Sequence, residues 1–225
     1  MAMLSPPPGA LSSLISTRHE YDHLFGIYVP IAIGVFLTIL LVVVGAVVIF
    51  HRRPPERAAR WHENNPVEGT YALVLACVAA FLLYLTFSAE HKVDTVANQQ
   101  HPSVVVFVTA AKWEWTFRYP GYGFSVRSGT VGRQPLVVPA GEPVRFMLTS
   151  DDVIHALWIP AVRYKHDAIP GSTQIVTLSF STGVFDGHCA EFCGLRHSDM
   201  VFTVHAVRPA SFAAWARSKG TAAVP

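Results

Sequence analysis

Two uncharged stretches dominate the hydrophobic pattern of the first third of the chain. Leu24 to Phe50 is the longer, about 27 residues where ~20 suffice to cross a bilayer as a helix. Its continuous Ile, Leu and Val content suits a helix facing lipid, and Pro30 lies close enough to its start to be tolerated. Gly69 to Ala89 is the second, again about 21 residues and long enough to span. A helical hairpin buried in a soluble protein is the alternative, and it fits these lengths poorly. The expected organisation is an N-terminal segment 1–23, a transmembrane hairpin 24–90 with spans 24–50 and 69–89 around a loop 51–68, and an outer domain 91–225.

After a polar link, Glu90 to Pro102, the pattern changes period. Val104-Val105-Val106-Phe107-Val108 reads as a buried strand. Lys112 to Tyr119 alternates polar and aromatic and meets a Pro120-Gly121 turn. Leu136 to Pro139, Val144 to Leu148, Ile154 to Ile159, Gln174 to Phe180 and Val201 to Val207 are further strand candidates. Short strands separated by turns predict a β-sandwich or barrel. Pro209 to Lys219 predicts a closing helix with Phe212 and Trp215 on one face.

Charge orients the hairpin. Arg52, Arg53, Arg57 and Arg60 lie in the loop between the spans, which favours the cytoplasmic side for that loop and the opposite side for both termini. Met1 to His23 is Pro/Ser-rich and then polar, and it lacks the basic start and cleavage site of a signal peptide. Either none is needed or the numbering starts at a mature end. The net charge is only +2, so no basic field argues for a nucleic-acid partner. Three cysteines are too few for a disulfide framework.

The candidate chemistry is concentrated in His188-Cys189-Ala190-Glu191-Phe192-Cys193-Gly194-Leu195-Arg196-His197-Ser198-Asp199-Met200. Thiolates beside imidazole and thioether suit copper, or zinc if the methionine is a bystander. A straight helix would spread Cys189 to Met200 over ~16 Å, whereas metal bonds to Cys and His are ~2.0–2.3 Å. The segment must therefore curl, and Gly194 permits the bend. A sandwich gathers loops at one end, so His155, far upstream, can join Cys189, Cys193, His197 and Met200. One thiolate with two imidazoles and a weak thioether would make a mononuclear copper site. Two bridging thiolates would instead give two coppers two sulfurs and one histidine each, with Met200 and a backbone carbonyl, that of Glu191, as weak further ligands. A Cys189–Cys193 disulfide and a zinc site of two Cys and two His are the competing readings, and zinc leaves Met200 unexplained.

These residues carry a resemblance. The chain resembles subunit II of the haem–copper cytochrome c oxidases in Cys189-Ala190-Glu191-Phe192-Cys193-Gly194-Leu195-Arg196-His197-Ser198-Asp199-Met200, in Asp152-Val153-Ile154-His155, in Lys165-His166-Asp167-Ala168-Ile169-Pro170-Gly171 and in Trp113-Glu114-Trp115. The resemblance implies a cupredoxin-like Greek-key sandwich and a dinuclear copper centre, CuA, held by His155, Cys189, Cys193, His197, Met200 and the Glu191 carbonyl. It also implies that the Glu191 carboxylate ligates a magnesium or manganese ion shared with subunit I. Trp113 would accept the electron from cytochrome c, and the haem would lie in subunit I, where oxygen is reduced to water with proton pumping. Asp151 and Asp152 would belong to an acidic docking patch, with Lys112 beside Trp113 as the local departure. Glu68 resembles the glutamate at the entrance of a proton path. The implied location is the bacterial cytoplasmic or mitochondrial inner membrane. The implied partners are subunit I, other oxidase subunits, membrane lipid and a cytochrome c that is soluble, tethered or within a supercomplex.

Plainer readings stand beside these. Trp113 and Trp115 suit any strand, Asp151 and Asp152 any solvated turn, and Glu68 the start of a helix, where the dipole stabilises a carboxylate. His51, His62, His91, His101, His166, His188 and His205 read as solvated side chains, His188 being the one next to a candidate ligand. Three other functions use related parts. A copper-delivery or thiol–disulfide protein carries C-x-x-x-C on a thioredoxin-like fold, and a quinol oxidase subunit II keeps the spans and sandwich without copper ligands. A nitrous oxide reductase would need a much larger catalytic domain.

Overall fold

A computed structural model describes residues 17–54, 63–99 and 101–220. The chain divides into two compact units, a helical one over Glu20–His91 and a β unit that runs on from Lys92. Arg57 and Arg60 of the expected basic loop, and most of the N-terminal segment, lie outside the described residues.

Helix α1 covers Thr17–Phe50 and helix α2 covers Asn65–Gln99. Each contains a stretch long and apolar enough to cross a membrane. The apolar side chains of that stretch face outward, as at Phe36, Leu41, Leu73 and Tyr84. A soluble hairpin would have to cover such surface, so both helices fit a two-pass membrane protein. Within this unit the Tyr28 hydroxyl donates to the Leu82 carbonyl at 2.8 Å and meets Thr86 Oγ1 at 2.5 Å. Helix α2 runs on through Glu90, His91, Lys92 and Asp94, which had been read as a link. No Gly or Pro interrupts it there, and charged residues continue a helix once it enters water.

The β unit has ten strands: β1 Val104–Ala111, β2 Glu114–Tyr119, β3 Phe124–Gly129, β4 Leu136–Pro139, β5 Val144–Ser150, β6 His155–Ile159, β7 Tyr164–Ala168, β8 Gln174–Leu178, β9 Gly183–Cys189 and β10 Val201–Val207. They form two five-stranded sheets, ordered β3-β2-β1-β5-β8 and β4-β10-β9-β6-β7. This is the cupredoxin-like sandwich with a short C-terminal helix, α3 Pro209–Gly220. Three of the strands escape hydrophobic patterning. Strand β7 is a charged edge strand (Tyr-Lys-His-Asp-Ala), β9 holds two glycines and an aspartate, and four of the six residues of β3 are Ser, Arg or Gly. Strand β2 starts at Glu114, so Lys112 and Trp113 occupy the turn after β1 rather than the strand itself.

The core lies between the sheets. Trp115, Phe117, Phe146, Leu148 and Leu157 are fully buried, and Phe202 packs edge-on to Trp115 with ring centroids 5.6 Å apart. Gly187 admits that ring, since a Cβ there would collide with Phe202. The buried Tyr119 hydroxyl donates to the Val137 carbonyl at 2.9 Å and accepts from the Val137 amide at 3.0 Å, tying β2 to β4 across the sandwich. Helix α3 closes one end with Phe212 and Trp215 against Tyr119.

Candidate metal centre

Strand β9 ends at Cys189 and β10 begins after Met200, so the ligand-rich segment is the connection between two adjacent antiparallel strands. Its neck is closed by the Cys189 amide, which donates to the Met200 carbonyl at 3.0 Å. Inside the neck the chain curls as expected. Gly194 sits at φ +117°, a conformation that favours glycine, and its carbonyl accepts from the His197 amide at 3.1 Å. A single turn of 3-10 helix, His197–Asp199, returns the chain to Met200. The curl replaces the linear spread of a helix with a cluster.

The donor atoms follow one another across that cluster. His155 Nδ1 lies 3.7 Å from Cys189 Sγ, Cys189 Sγ 3.9 Å from Cys193 Sγ, and Cys193 Sγ 3.5 Å from His197 Nδ1. Met200 Sδ stands 4.0 Å from Cys193 Sγ, and the Glu191 carbonyl oxygen 3.3 Å from Cys189 Sγ. The sulfurs are far beyond the ~2.05 Å of a disulfide, and both cysteines are free. They are close enough for shared metal bonds: two bonds of ~2.3 Å bridge up to ~4.6 Å between sulfurs, and one to sulfur plus one to nitrogen bridge ~4.3 Å. Every neighbouring pair in the series falls inside those limits. The donor atoms of His155, Cys189 and Cys193 all lie within 4.8 Å of one another and form a candidate metal site.

Burial makes this a dry site. His155 and Met200 are fully buried, Cys189 and Cys193 nearly so, while Phe192 and Leu195 expose 79% and 92% of their surface at the rim. Burial opposes ionisation of Cys189, yet hydrogen bonds to His155 and to the backbone at Glu191 and Ala156 outweigh it and bring its thiol down to about 7. Burial and the neighbouring Cys189 thiolate push Cys193 up to about 12. The pair thus loses one proton near neutrality and holds the other. For His155 burial disfavours the charge, but hydrogen bonds to Cys189 and Asp152 raise its pKa above the ordinary value.

The remaining sequence candidates fall as follows. Trp113 is half-buried, and its indole covers Gly194: a Cβ there would lie 3.5 Å from Trp113 Cζ2 and 3.7 Å from Nε1. That indole nitrogen is buried and lacks a hydrogen-bond partner among the described residues. The side chain of Glu191 is exposed. Asp151 and Asp152 are both exposed, and Asp152 accepts from His155 Nε2 at 2.9 Å and from the Lys112 amide at 2.8 Å. Burial raises the pKa of Asp152, but these bonds and that from the Val153 amide lower it further, so the carboxylate is favoured. Glu68 lies in the helical unit, away from this cluster in sequence. Its carboxylate accepts from the Asn64 amide at 3.1 Å while the Asn64 side chain accepts from the Val67 amide at 3.3 Å, a reciprocal helix cap.

Two residues named from the sequence contribute in roles it did not assign to them. Trp115 lies edge-on to the His155 ring, centroids 6.2 Å apart, and its Nε1 reaches toward the Met200 carbonyl at 3.4 Å. The alternation of Trp113 to Tyr119 carried that signal, since it sends Trp115 inward. Asp152 as the partner of His155 was legible as a carboxylate three residues before a candidate ligand.

Comparison with known proteins gives consistent matches. The family model for the periplasmic domain of cytochrome c oxidase subunit II matches residues 125–207. Cytochrome c oxidase subunit 2 of Cereibacter sphaeroides is 27% identical over 93% of this chain and 80% of its own length. A probable cytochrome c oxidase subunit 2 of Streptomyces avermitilis is 32% identical over 72% of this chain and 63% of its own length. The chain therefore spans less than two thirds of that relative. The crystal structure of the periplasmic domain of subunit II of cytochrome oxidase of Bradyrhizobium japonicum superposes with a TM-score of 0.52 at 29% identity, over 55% of this chain and 98% of that one.

Proposed function

The chain belongs to the cytochrome c oxidase subunit II family, and from that premise we propose that it is the electron-accepting subunit of a haem–copper oxidase. In this reading it holds a dinuclear copper centre, receives electrons from a cytochrome c and delivers them to haem in subunit I, where oxygen is reduced and protons are pumped. When bound, two thiolate-bridged coppers supply one-electron transfer with little change of geometry.

One observation carries the copper reading: the two sulfurs stand 3.9 Å apart with one imidazole at each end, His155 beside Cys189 and His197 beside Cys193. His197 stands outside the compact group of His155, Cys189 and Cys193. A single tetrahedral ion needs all four donors mutually close; two ions sharing the sulfurs need only this serial order. Met200 and the Glu191 carbonyl adjoin opposite sulfurs, so each end of the pair has one weak donor. Cys189 and Cys193 hold the pair, the two histidines close its ends, and the buried Trp115 and Met200 keep water out.

Other parts support the remaining steps. Trp113, half-exposed with its ring on Gly194, lies between solvent and the ligand loop and is the electron-accepting side chain of this proposal. Glu191 presents its carbonyl to Cys189 and an exposed carboxylate to the outside, which suits a magnesium or manganese ion shared with subunit I. Asp151 is exposed and available to a cationic cytochrome c. The apolar helices and the arginines Arg52 and Arg53 between them support a two-pass placement with the β unit outside the cytoplasm. The sandwich also separates this chain from thioredoxin-like thiol–disulfide proteins, and its full donor set from copper-free quinol oxidase subunits.

Metal analysis combined with EPR on the purified chain tests the proposal. Two coppers per chain, sharing one unpaired electron in the oxidised form, are expected. One copper with an ordinary four-line signal, or zinc alone, overturns it.

A further inference from the structure

Both oxygens of Asp152 are engaged. Oδ1 accepts from His155 Nε2 at 2.9 Å and from the Val153 amide at 2.6 Å. Oδ2 accepts from the Lys112 amide at 2.8 Å. The turn is held in addition by Ser150, whose hydroxyl accepts from the Asp152 amide at 3.3 Å and donates to the Val153 carbonyl at 2.5 Å. His155 is fully buried, and the Asp152 side chain retains only 30% of its exposure. Although the residue is exposed, both of its oxygens already accept from this chain's own donors, which leaves less of the carboxylate for a partner's lysines. Its neighbour Asp151 is exposed as well.

We propose that Asp152 is a positioning residue for the metal site rather than a docking charge: it fixes the orientation and tautomer of His155 and ties the turn that carries Trp113 to that ligand. An imidazole that donates Nε2–H to a carboxylate keeps the Nδ1 lone pair for a metal, and Nδ1 is the atom that faces Cys189. The second oxygen reaches the Lys112 amide across 40 residues of sequence. Through it the backbone next to Trp113 and the ligand histidine share one anchor. The inference rests on the copper reading above.

Asp152→Ala and Asp152→Asn are compared with Asp151→Asn in the full-length chain in detergent. Competition with a chelator measures copper affinity, EPR the ligand nitrogens, and steady-state oxidation of cytochrome c, with the chain assembled in its oxidase, the salt dependence of KM. Asp152→Ala is expected to weaken copper about 10–100-fold and to alter the EPR spectrum, without changing how KM responds to salt. Asp152→Asn keeps one acceptor oxygen and should fall between it and the unmodified chain, while Asp151→Asn should leave copper untouched. Wild-type affinity and spectrum in Asp152→Ala, with a KM raised at low salt and normal at high salt, would make Asp152 a docking charge and overturn the proposal. Should Asp152→Ala fail to fold, the near-isosteric Asp152→Asn decides on the same readouts. If the unmodified chain takes up no copper, the copper reading falls by itself. The nitrogen NMR shifts of His155 in the metal-free chain then decide: Nε2–H lost in the variant supports the positioning role, and an unchanged tautomer ends it.

Discussion

Replacing Gly194 with alanine separates backbone strain from packing at the ligand loop. The new methyl would lie 3.5 Å from Trp113 Cζ2, 3.7 Å from Nε1 and 3.9 Å from Cε2, ordinary contact that leaves the indole where it is. The cost is in the backbone, because φ at this position is +117° and a residue with a Cβ is strained there by about 1–3 kcal/mol. If the metal-free loop relaxes, the whole strain appears on binding, and copper affinity falls about 5- to 150-fold at 1.4 kcal/mol per tenfold. If the neck bond from Cys189 to Met200 holds the empty loop in the same curve, affinity is unchanged and the strain appears as lost folding stability. The two losses together should amount to about 1–3 kcal/mol. Chelator competition measures the first and denaturant unfolding of the metal-free chain the second. Gly171→Ala is the control, at φ +74° with open space around it and outside the loop; it should lower stability without touching copper. Gly194→Ala with unaltered affinity and unaltered stability would refute the curled loop.

Three further outcomes follow from the same geometry. Trp113→Phe in the assembled oxidase should slow oxidation of cytochrome c while the copper spectrum stays as it was, and normal turnover would remove Trp113 from the path. On the proposed function, Glu191→Gln should lose a shared magnesium or manganese before any copper, since the carbonyl beside Cys189 is untouched; metal analysis that finds the ion retained would end the carboxylate's proposed role. Copper affinity should rise with pH, because binding displaces protons. Between about 7 and about 12 only Cys193 of the two thiols still carries one, giving about a tenfold gain per pH unit. Below about 7 the proton of Cys189 must also leave and the slope steepens, so a pH-independent affinity measured by titration would contradict the thiol assignments.

The ligand loop was legible because its chemistry is compressed. Two thiols, two imidazoles and a thioether within thirteen residues leave few structural explanations, and a glycine in their midst marks the bend. The two apolar helices were legible for a similar reason, since length and lack of charge decide them. The edge strand β7 and the ligand-bearing β9 were not. Charged residues in β7 and glycines in β9 hide the strand pattern; pairing with β6 makes β7 a strand, and pairing with β10 and β6 does the same for β9. The turn at Lys112 and Trp113 was hidden by an alternation that continues unbroken through it. Asp152 was visible as an acid but not as the acceptor for His155 and the Lys112 amide, because that role depends on two partners, one of them far upstream in the chain.

The place of His155 turns on strand register. Strands β6 and β9 pair antiparallel with Leu157 opposite Cys189 and Trp158 opposite His188. The Ala190 amide continues the ladder to the Ala156 carbonyl at 3.0 Å, which carries His155 just past the end of β9 and over the loop. Side chains alternate between faces along β6: His155, Leu157 and Ile159 face the core, while on the other face the small Ala156 is covered and Trp158 is exposed, its ring tilted against His188. Slipping this pairing by one residue would send every β6 side chain to the other face. The imidazole would then leave the sulfurs, and the indole of Trp158 would have to enter a core already filled by Trp115 and Phe202. Ile154 to Ile159 is too uniformly apolar to select a face by itself. The selection comes from β9, where His188 is half-exposed and Cys189 turns in. A distant histidine comes to face the sulfurs because the strand carrying the first cysteine fixes which way it points.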